Sequence, residues 1–393
     1  MDRLFSALYA PIFRRAGVGL VSPSGITLVP ATEDGPSVKF SRRRDLLRLL
    51  LSPELSFAEA FADGHLTIIN GRIYDVLLKF AMDSSEKSSV FIIAKSLQKI
   101  TAPFFRFAQG ISPRKSTKNV HAHYDLGNEF YQLFLDEDLQ YSCAYFTDPD
   151  QDLATAQQQK KDHIIRKLLC ADGMTALDIG CGWGGLSLDI AKHGVKVTGL
   201  TLSQEQFELA QKRQQDSGMD VEIKFQDYRH ETATYDRVVS VGMFEHVGPL
   251  QFQRYFDQVA ANLNDQGVAL IHTIGRHSPP TMVNKFTRKY IFPGGYIPSL
   301  SQIMTAVEQT GLLVTDIEFL YLHYAETLRH WRQNFLTTRA KVVEMYDERF
   351  ANIWEFYLAG SEAAFRSKQI TVFQLQLKKT TTPVELTRDY LYR

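Results

Sequence analysis

The chain has 393 residues with 44 Lys+Arg against 44 Asp+Glu, 44% hydrophobic and 22% charged. That describes about two globular domains and excludes a disordered tail or a general polyanion binder, so no nucleic-acid partner is expected. No run reaches the roughly 18 uncharged apolar residues of a membrane span, and the opening MDRLFSALYAPIFRR sets charges on both sides of a short apolar patch, unlike a secretory leader. Cys143, Cys170 and Cys181 are too few and scattered for a disulfide framework, and no C-x-x-C or H-x-x-x-H pair points to zinc. A cytoplasmic protein with reduced thiols and no metal is the expectation.

The zero net charge hides an asymmetry. The first 120 residues hold 17 basic and 10 acidic side chains, a balance of +7 that leaves −7 for the remainder. A basic module beside an acidic one docks on it or faces anionic phospholipid. Residues 20 to 40 read as short strands broken by SPSG and EDGPS. SRRRDLLRLLL (41–51) joins a basic cluster to Leu46, Leu47, Leu49, Leu50 and Leu51. It reads either as a core helix with a solvated basic end or as a lipid-surface helix. SFAEAFADGHLTI and NGRIYDVLLKFAMD give helical patterns around a Gly turn, making a small α+β/helical module. AQGISPRKSTKNV (108–120) has the composition of a linker, which sets the expected domains at 1–115 and 116–393.

From about residue 171 short apolar strands alternate with amphipathic helices, the pattern of a doubly wound parallel α/β sheet. Strands are predicted at 175–179, 196–201, 221–226, 236–242 and 267–274, with helices near 186–193, 204–215 and 250–263. A Gly/Pro-containing insertion follows at 287–298, then a helix and strand over 300–320. A largely helical end closes on a further strand, ITVFQLQL.

The first strand runs into Asp178-Ile-Gly180-Cys-Gly182-Trp-Gly184-Gly185. Glycines at alternate positions let the backbone turn tightly and approach a ligand before the helix begins. The second strand ends in Thr201-Leu202-Ser203-Gln204, without an acid for a ribose diol, and the spacing is not G-x-G-x-x-G, so a dinucleotide is disfavoured. The D-x-G-x-G-x-G form resembles the turn of class I methyltransferases, Rossmann-like proteins that use S-adenosylmethionine. Under that resemblance Asp178 orders the turn, and Asp227 of QDYR is a candidate for the adenine amino group.

Ligands of open α/β sheets lie outside the carboxyl ends of the strands. Glu245, in GMFEHVG, and His272, in IHTIG, therefore approach the Gly loop. His272 and Ile274, two apart on one strand, share a face and give a polar group beside an apolar wall. Each residue taken alone has an ordinary explanation: His272 as a core histidine, Glu245 as a helix-start carboxylate, Cys143 as a small buried hydrophobe. Their convergence on a cofactor loop favours a reaction site. No Ser-His-Asp triad is forced by the spacing.

Six segments in order, HAHYDLGNEFYQLFLDEDLQYSCAYF (121–146), LDIGCGWGGL (177–186), SVGMFEHVG (240–248), IHTIG (271–275), YIFPGGYIPS (290–299) and YAETLRHW (324–331), resemble the cyclopropane fatty acid synthase family, which includes the mycolic acid cyclopropane synthases. The resemblance runs from about residue 120 to near the end, and the first 115 residues match only loosely the N-terminal domain of the phospholipid-acting members. It implies methyl transfer from S-adenosylmethionine to the cis double bond of an unsaturated phospholipid acyl chain, through a carbocation that loses a proton as the ring closes. It also implies a bicarbonate base held by Cys143, Glu245, His272, Ile274 and Tyr324. Tyr124, Tyr141, Ser142, Gly180, Gly182, Thr201, Leu202, Gln206 and Gln226 carry over as cofactor contacts. A cation needs apolar and aromatic shelter, and its proton needs a positioned base.

The same cation losing a different proton gives a methyl-branched or methyl-unsaturated product, the close alternative. A non-catalytic lipid-binding relative and a small-molecule methyltransferase are further ones. The acyl tail must leave a bilayer, so peripheral contact with the inner face of the membrane is expected. The basic N-terminal module and Lys285, Arg288 and Lys289 of the insertion offer themselves for it, against a contact between domains. A homodimer is carried over from the phospholipid-acting relatives alone.

Overall fold

The computed structural model describes residues 2–83 and 126–392. The expected linker at 108–120, the boundary at 115 and Tyr124 lie outside them. The chain forms two compact units.

The first unit takes Met1–Phe104, Asn284–Ile291 and Leu328–Gln369. Four short strands, β1 (Gly19–Val21), β2 (Thr27–Val29), β3 (Ser37–Phe40) and β4 (Leu66–Ile69), form a sheet in the order β2-β1-β3-β4. The helices Asp2–Ala16, Arg43–Leu51, Pro53–Ala62 and Ile73–Met82 accompany them. β4 stands where the sequence pattern predicts helix. Gly64, at φ +69°, ends the helix Pro53–Ala62, and the apolar residues beyond it pair antiparallel with β3, Phe40 opposite Leu66.

Residues 284–291 and 328–369 also differ from the expected division, because the unit's core is aromatic and assembled from distant segments. Phe356, on the helix Glu348–Arg366, packs 6.3 Å from Phe57 and 4.8 Å from Phe286. Of the insertion's cations, Lys289 pairs with Glu59 at 2.7 Å within this unit. On the helix Arg43–Leu51, Leu46 and Leu49 are buried, whereas Leu47, Leu50 and Leu51 are exposed, Leu51 by 85%.

The second unit takes Phe105–Val283, Phe292–Thr327 and Ile370–Arg393. Its sheet joins β5 (Thr175–Ile179), β6 (Lys196–Thr201), β7 (Val221–Phe225), β8 (Tyr235–Val241), β9 (Leu263–Gly275), β10 (Leu312–Phe319) and β11 (Thr371–Lys379) in the order β10-β11-β9-β8-β5-β6-β7. β5 to β9 are parallel, and β11 runs antiparallel to both its neighbours. The doubly wound expectation holds, with all seven predicted strands present.

Alternation along β11 sorts two layers. Phe373, Leu375 and Leu377 enter an apolar core with Phe244, Phe256 and Ile271. Gln374, Gln376 and Lys378 are buried between them in sequence. Gln376 Nε2 donates to the carbonyl of Lys167 at 2.6 Å, on the helix Leu153–Leu168. Lys167 is fully buried, its ammonium 2.5 Å from Glu318 and 3.5 Å from Asp316, and His163 Nε2 lies 2.6 Å from Glu318. Burial works to raise the Glu318 carboxyl, but His163 and Lys167 outweigh it and hold it at about 2.

Breaking a buried pair strands a charge. Glu318→Gln is therefore expected to cost about 3 kcal/mol in urea unfolding at pH 7. Because the folded carboxyl titrates below its ordinary 4.5, that stability is present above 4.5 and disappears as pH falls toward about 2. Equal stability of variant and wild type at pH 7 would show the pair contributes nothing.

Candidate active site

β5 lies between β6 and β8, so the polypeptide leaves it first to one side and later to the other. The loops diverge there and open a crevice at the carboxyl ends of the strands. The Gly turn fills its floor. Gly180 and Cys181 donate their amides to the Leu200 carbonyl, each at 2.9 Å, binding the turn to β6. Gly180 has φ +84°, and a Cβ there would meet the Met243 side chain at 2.9 Å. Asp178 accepts a 2.7 Å hydrogen bond from Ser187, which ties β5 to the helix Gly185–Ala191, and burial pushes its carboxyl up to about 6.

One cavity brings together Asp178 from the end of β5, Gly180 and Gly182 from this turn, Thr201 from the end of β6, Leu202 and Gln206 from beyond it, Gln226 and Asp227 from beyond β7, and Tyr141 and Ser142. Thr201 Oγ1 donates to Gln206 Oε1 at 3.1 Å, and Ser203 caps the helix Gln204–Ser217. The carboxylate of Asp227 accepts from the Arg229 amide at 3.0 Å and from both Nε and Nη2 of its guanidinium, at 2.8 and 2.5 Å. Burial would raise this carboxyl, but Arg229 holds it below its ordinary value.

The expected reaction residues fall into two connected groups. Glu245, on a short turn after β8, is buried, and its Oε1 accepts the Ile274 amide at 2.5 Å. The Ile274 N–H therefore aims the carboxylate. Glu245 Oε2 is buried with no hydrogen-bond partner among the described residues. Burial pushes this carboxyl up to about 7, against the pull of the Ile274 amide. His272, two residues before Ile274 on β9, lies with Nδ1 3.1 Å from Gln374 Nε2. Burial, followed by Lys160 and Lys167, pushes its ring down to about 3. The ring is thus neutral at physiological pH.

In the second group, the buried Cys143 precedes Ala144, whose amide donates to Thr327 Oγ1 at 3.0 Å. Thr327 lies one turn beyond the buried Tyr324 on the helix Tyr321–Met345. Burial drives the Cys143 thiol well above its ordinary value, so a thiolate nucleophile is not held there.

Lys160, which bonds two cavity-lining residues, is one that sequence patterning does not flag. It has no exposed surface, and its ammonium bonds Ser142 Oγ at 3.0 Å and Gln140 Oε1. QQQKKDH looks like a solvated face. The available signal is spacing, since Lys160, His163 and Lys167 recur at helical intervals beside Ile164.

An acid whose folded value lies above its unfolded one destabilises the fold as it ionises. For Glu245 that loss develops between its ordinary 4.5 and about 7. Glu245→Gln keeps an acceptor for Ile274, so it is expected to melt higher than wild type at pH 8 and alike at pH 4. A lower melting temperature at pH 8 would show that the carboxylate is satisfied in the fold.

Residues 111–375 match the family described as Mycolic acid cyclopropane synthetase. Over 254 residues the chain is 43% identical to the cyclopropane-fatty-acyl-phospholipid synthase of Escherichia coli strain K12, covering 64% of this chain and 65% of that one. It is 39% identical over 294 residues to a probable fatty acid methyltransferase of Pseudomonas putida, covering 71% and 75%. Among solved structures, mycolic acid cyclopropane synthase CmaA1 complexed with SAH and CTAB superposes with a TM-score of 0.64 at 34% identity, covering 67% of this chain and 98% of that one. With a glycine turn, switch-point cavity and sheet order of this kind, the chain belongs to the mycolic acid cyclopropane synthetase family of S-adenosylmethionine-dependent transferases.

Proposed function

We propose that this protein is a cyclopropane-fatty-acyl-phospholipid synthase, acting on the cis double bond of an unsaturated phospholipid acyl chain. The observation that supports the reading is the buried pair Glu245 and His272, linked through Ile274, whose amide donates to Glu245, with Glu245 lying in sequence between the cavity-lining Met243 and His246. The cavity suits S-adenosylmethionine: Gly180 leaves room where a Cβ would crowd the lining Met243, and Thr201, Gln206, Gln226 and Asp227 offer polar groups around an apolar wall. When bound, that cofactor supplies the methyl group. Tyr141, Ser142, Gly180, Gly182 and Leu202 would hold it with them, and Asp178 would keep the turn in place through Ser187.

The protein's own task is to keep water from an electron-poor acyl carbon and to receive its proton. His272 is neutral, and in the tautomer whose Nδ1 accepts from Gln374 it presents Nε2–H. Glu245, near 7, presents a protonated Oε2 through much of the neutral range. Two donors in a dry site suit a small anion, and we assign bicarbonate to them, with Tyr324 and Cys143 completing its surroundings. Ile274 serves by orienting Glu245 and by its apolar side chain.

The P. putida relative favours one second reading, a fatty acid methyltransferase in which a different proton leaves and no ring closes. Expression in a bacterium lacking cyclopropane activity, with gas chromatography and mass spectrometry of the fatty acid methyl esters, tests both. A gained CH2 that resists a reagent adding across double bonds supports the ring; a gained CH2 that still reacts moves the protein to the second reading, and no gain removes both. Glu245→Gln and His272→Ala are expected to lower turnover more than about tenfold with nearly unchanged cofactor binding. Loss of binding in step with turnover would assign them to folding instead.

The membrane is reached, in this reading, through the helix Arg43–Leu51, whose exposed Leu47, Leu50 and Leu51 stand beside exposed Arg43, Arg44 and Arg48. No helix among the described residues is long and apolar enough to cross a bilayer. With each arginine worth about 1 kcal/mol at an anionic surface, replacing all three by Gln is expected to reduce sedimentation with anionic vesicles and flatten its salt dependence. Unchanged sedimentation would remove this surface from the proposal.

A further inference from the structure

The cavity wall formed by Gln140, Tyr141 and Ser142 has no regular secondary structure of its own. Its backbone is held from one side by the helix Leu153–Leu168. Gln157 Nε2 donates to the carbonyls of Gln140 and Ser142 at 3.1 and 3.0 Å, and further along the same helix Lys160 bonds the side chains of the same two residues. The segment enters this wall from a turn that is itself tightly fastened. Asp136 accepts the amides of Asp138 and Gln140 at 3.1 and 3.0 Å, and Leu139 stands at φ +58°.

We propose that Lys160 is a positioning residue of the cofactor site, whose ammonium charge fixes the Gln140–Ser142 wall in the shape that binds the ligand. The inference rests on reading the cavity as the S-adenosylmethionine site. A buried ammonium must be balanced by its surroundings. The groups facing this one are Asp136, Asp138 and Cys143 from the wall and its turn, Lys161 from the same helix, Asp178 from β5 and His272 from β9. The carboxylates offset the charge in part, while burial lowers the amine to about 8. Above that value Nζ is neutral, its hold on Gln140 Oε1 and Ser142 Oγ weakens, and the wall loosens. Asp178, at about 6, has finished titrating below this range. A positioning charge therefore predicts affinity that is lost as pH rises through about 8, in the absence of any acyl substrate or turnover.

Calorimetric titration of the full-length protein with S-adenosylhomocysteine at pH 7.5 and 9.5 tests this, with circular dichroism to confirm folding of each variant. Wild type is expected to bind at least fivefold more weakly at pH 9.5. Lys160→Met and Lys160→Gln are expected to bind at least fivefold more weakly than wild type at pH 7.5 and to lose that pH dependence. The glutamine variant keeps a donor without the charge and serves if the methionine variant does not fold. Variants as tight as wild type at pH 7.5, or with the same pH dependence, would overturn the role of Lys160, as would a wild type whose affinity is flat. A folded wild type that binds no S-adenosylhomocysteine at either pH would instead overturn the cofactor reading on which the inference stands.

Discussion

The reversal of strand order at β5 is the constraint from which the candidate site follows. Parallel strands force each connection to cross a face of the sheet, and at β5 the connections to β6 and β8 go opposite ways. No helix can cover the gap they leave. Four separate loops therefore end at one place, bringing Gly180, Thr201, Asp227 and Met243 to a common cavity although they are scattered over more than sixty residues of sequence. The glycine turn concentrates positive φ angles at Gly180, Gly182 and Gly184, which only glycine takes without strain.

A second demand comes from the helix Leu153–Leu168, which places Lys160, His163 and Lys167 where no water can solvate them. Toward the end of the helix the charge of Lys167 is answered by Glu318 and Asp316; at its middle the charge of Lys160 is answered by Asp136 and Asp138 and by the side chains of Gln140 and Ser142 in the cavity wall. The helix thus bonds both the sheet, at Gln376, and the cavity wall, at Gln140 and Ser142. On the polar side of β11, Gln376 bonds this helix at the Lys167 carbonyl and Gln374 bonds His272 of β9, which is why that strand alternates polar and apolar residues while being buried on both sides.

Much of this architecture is legible in the sequence because its determinants are local. Strands 175–179 and 196–201 coincide with β5 and β6, and the others lie within a few residues of their expected places. Asp178 and Thr201 stand at the ends of strands and Gly180 and Gln226 just beyond them, so strand order alone puts them on one edge. What stays hidden depends on distant partners. The return of residues 328–369 to the first unit rests on aromatic contacts such as Phe57 with Phe356, which no periodicity announces. β4 hides behind Gly64, whose left-handed turn converts an apparent helical repeat into a strand. Lys160 hides because a lysine's burial depends on what lies opposite, and the wall opposite it, 140–142, comes from a segment with no regular pattern.

The thiols of the second unit have a consequence of a different kind. Cys143 and Cys181 are buried and Cys170 is partly so, and burial raises all three, Cys170 to about 11. Peroxides and alkylating reagents attack the thiolate, which these sites withhold at neutral pH. Modification of Cys143 is thus limited by how often its surroundings part and by the small thiolate fraction, so its labelling rate is a clock for the breathing of the backbone next to Ser142.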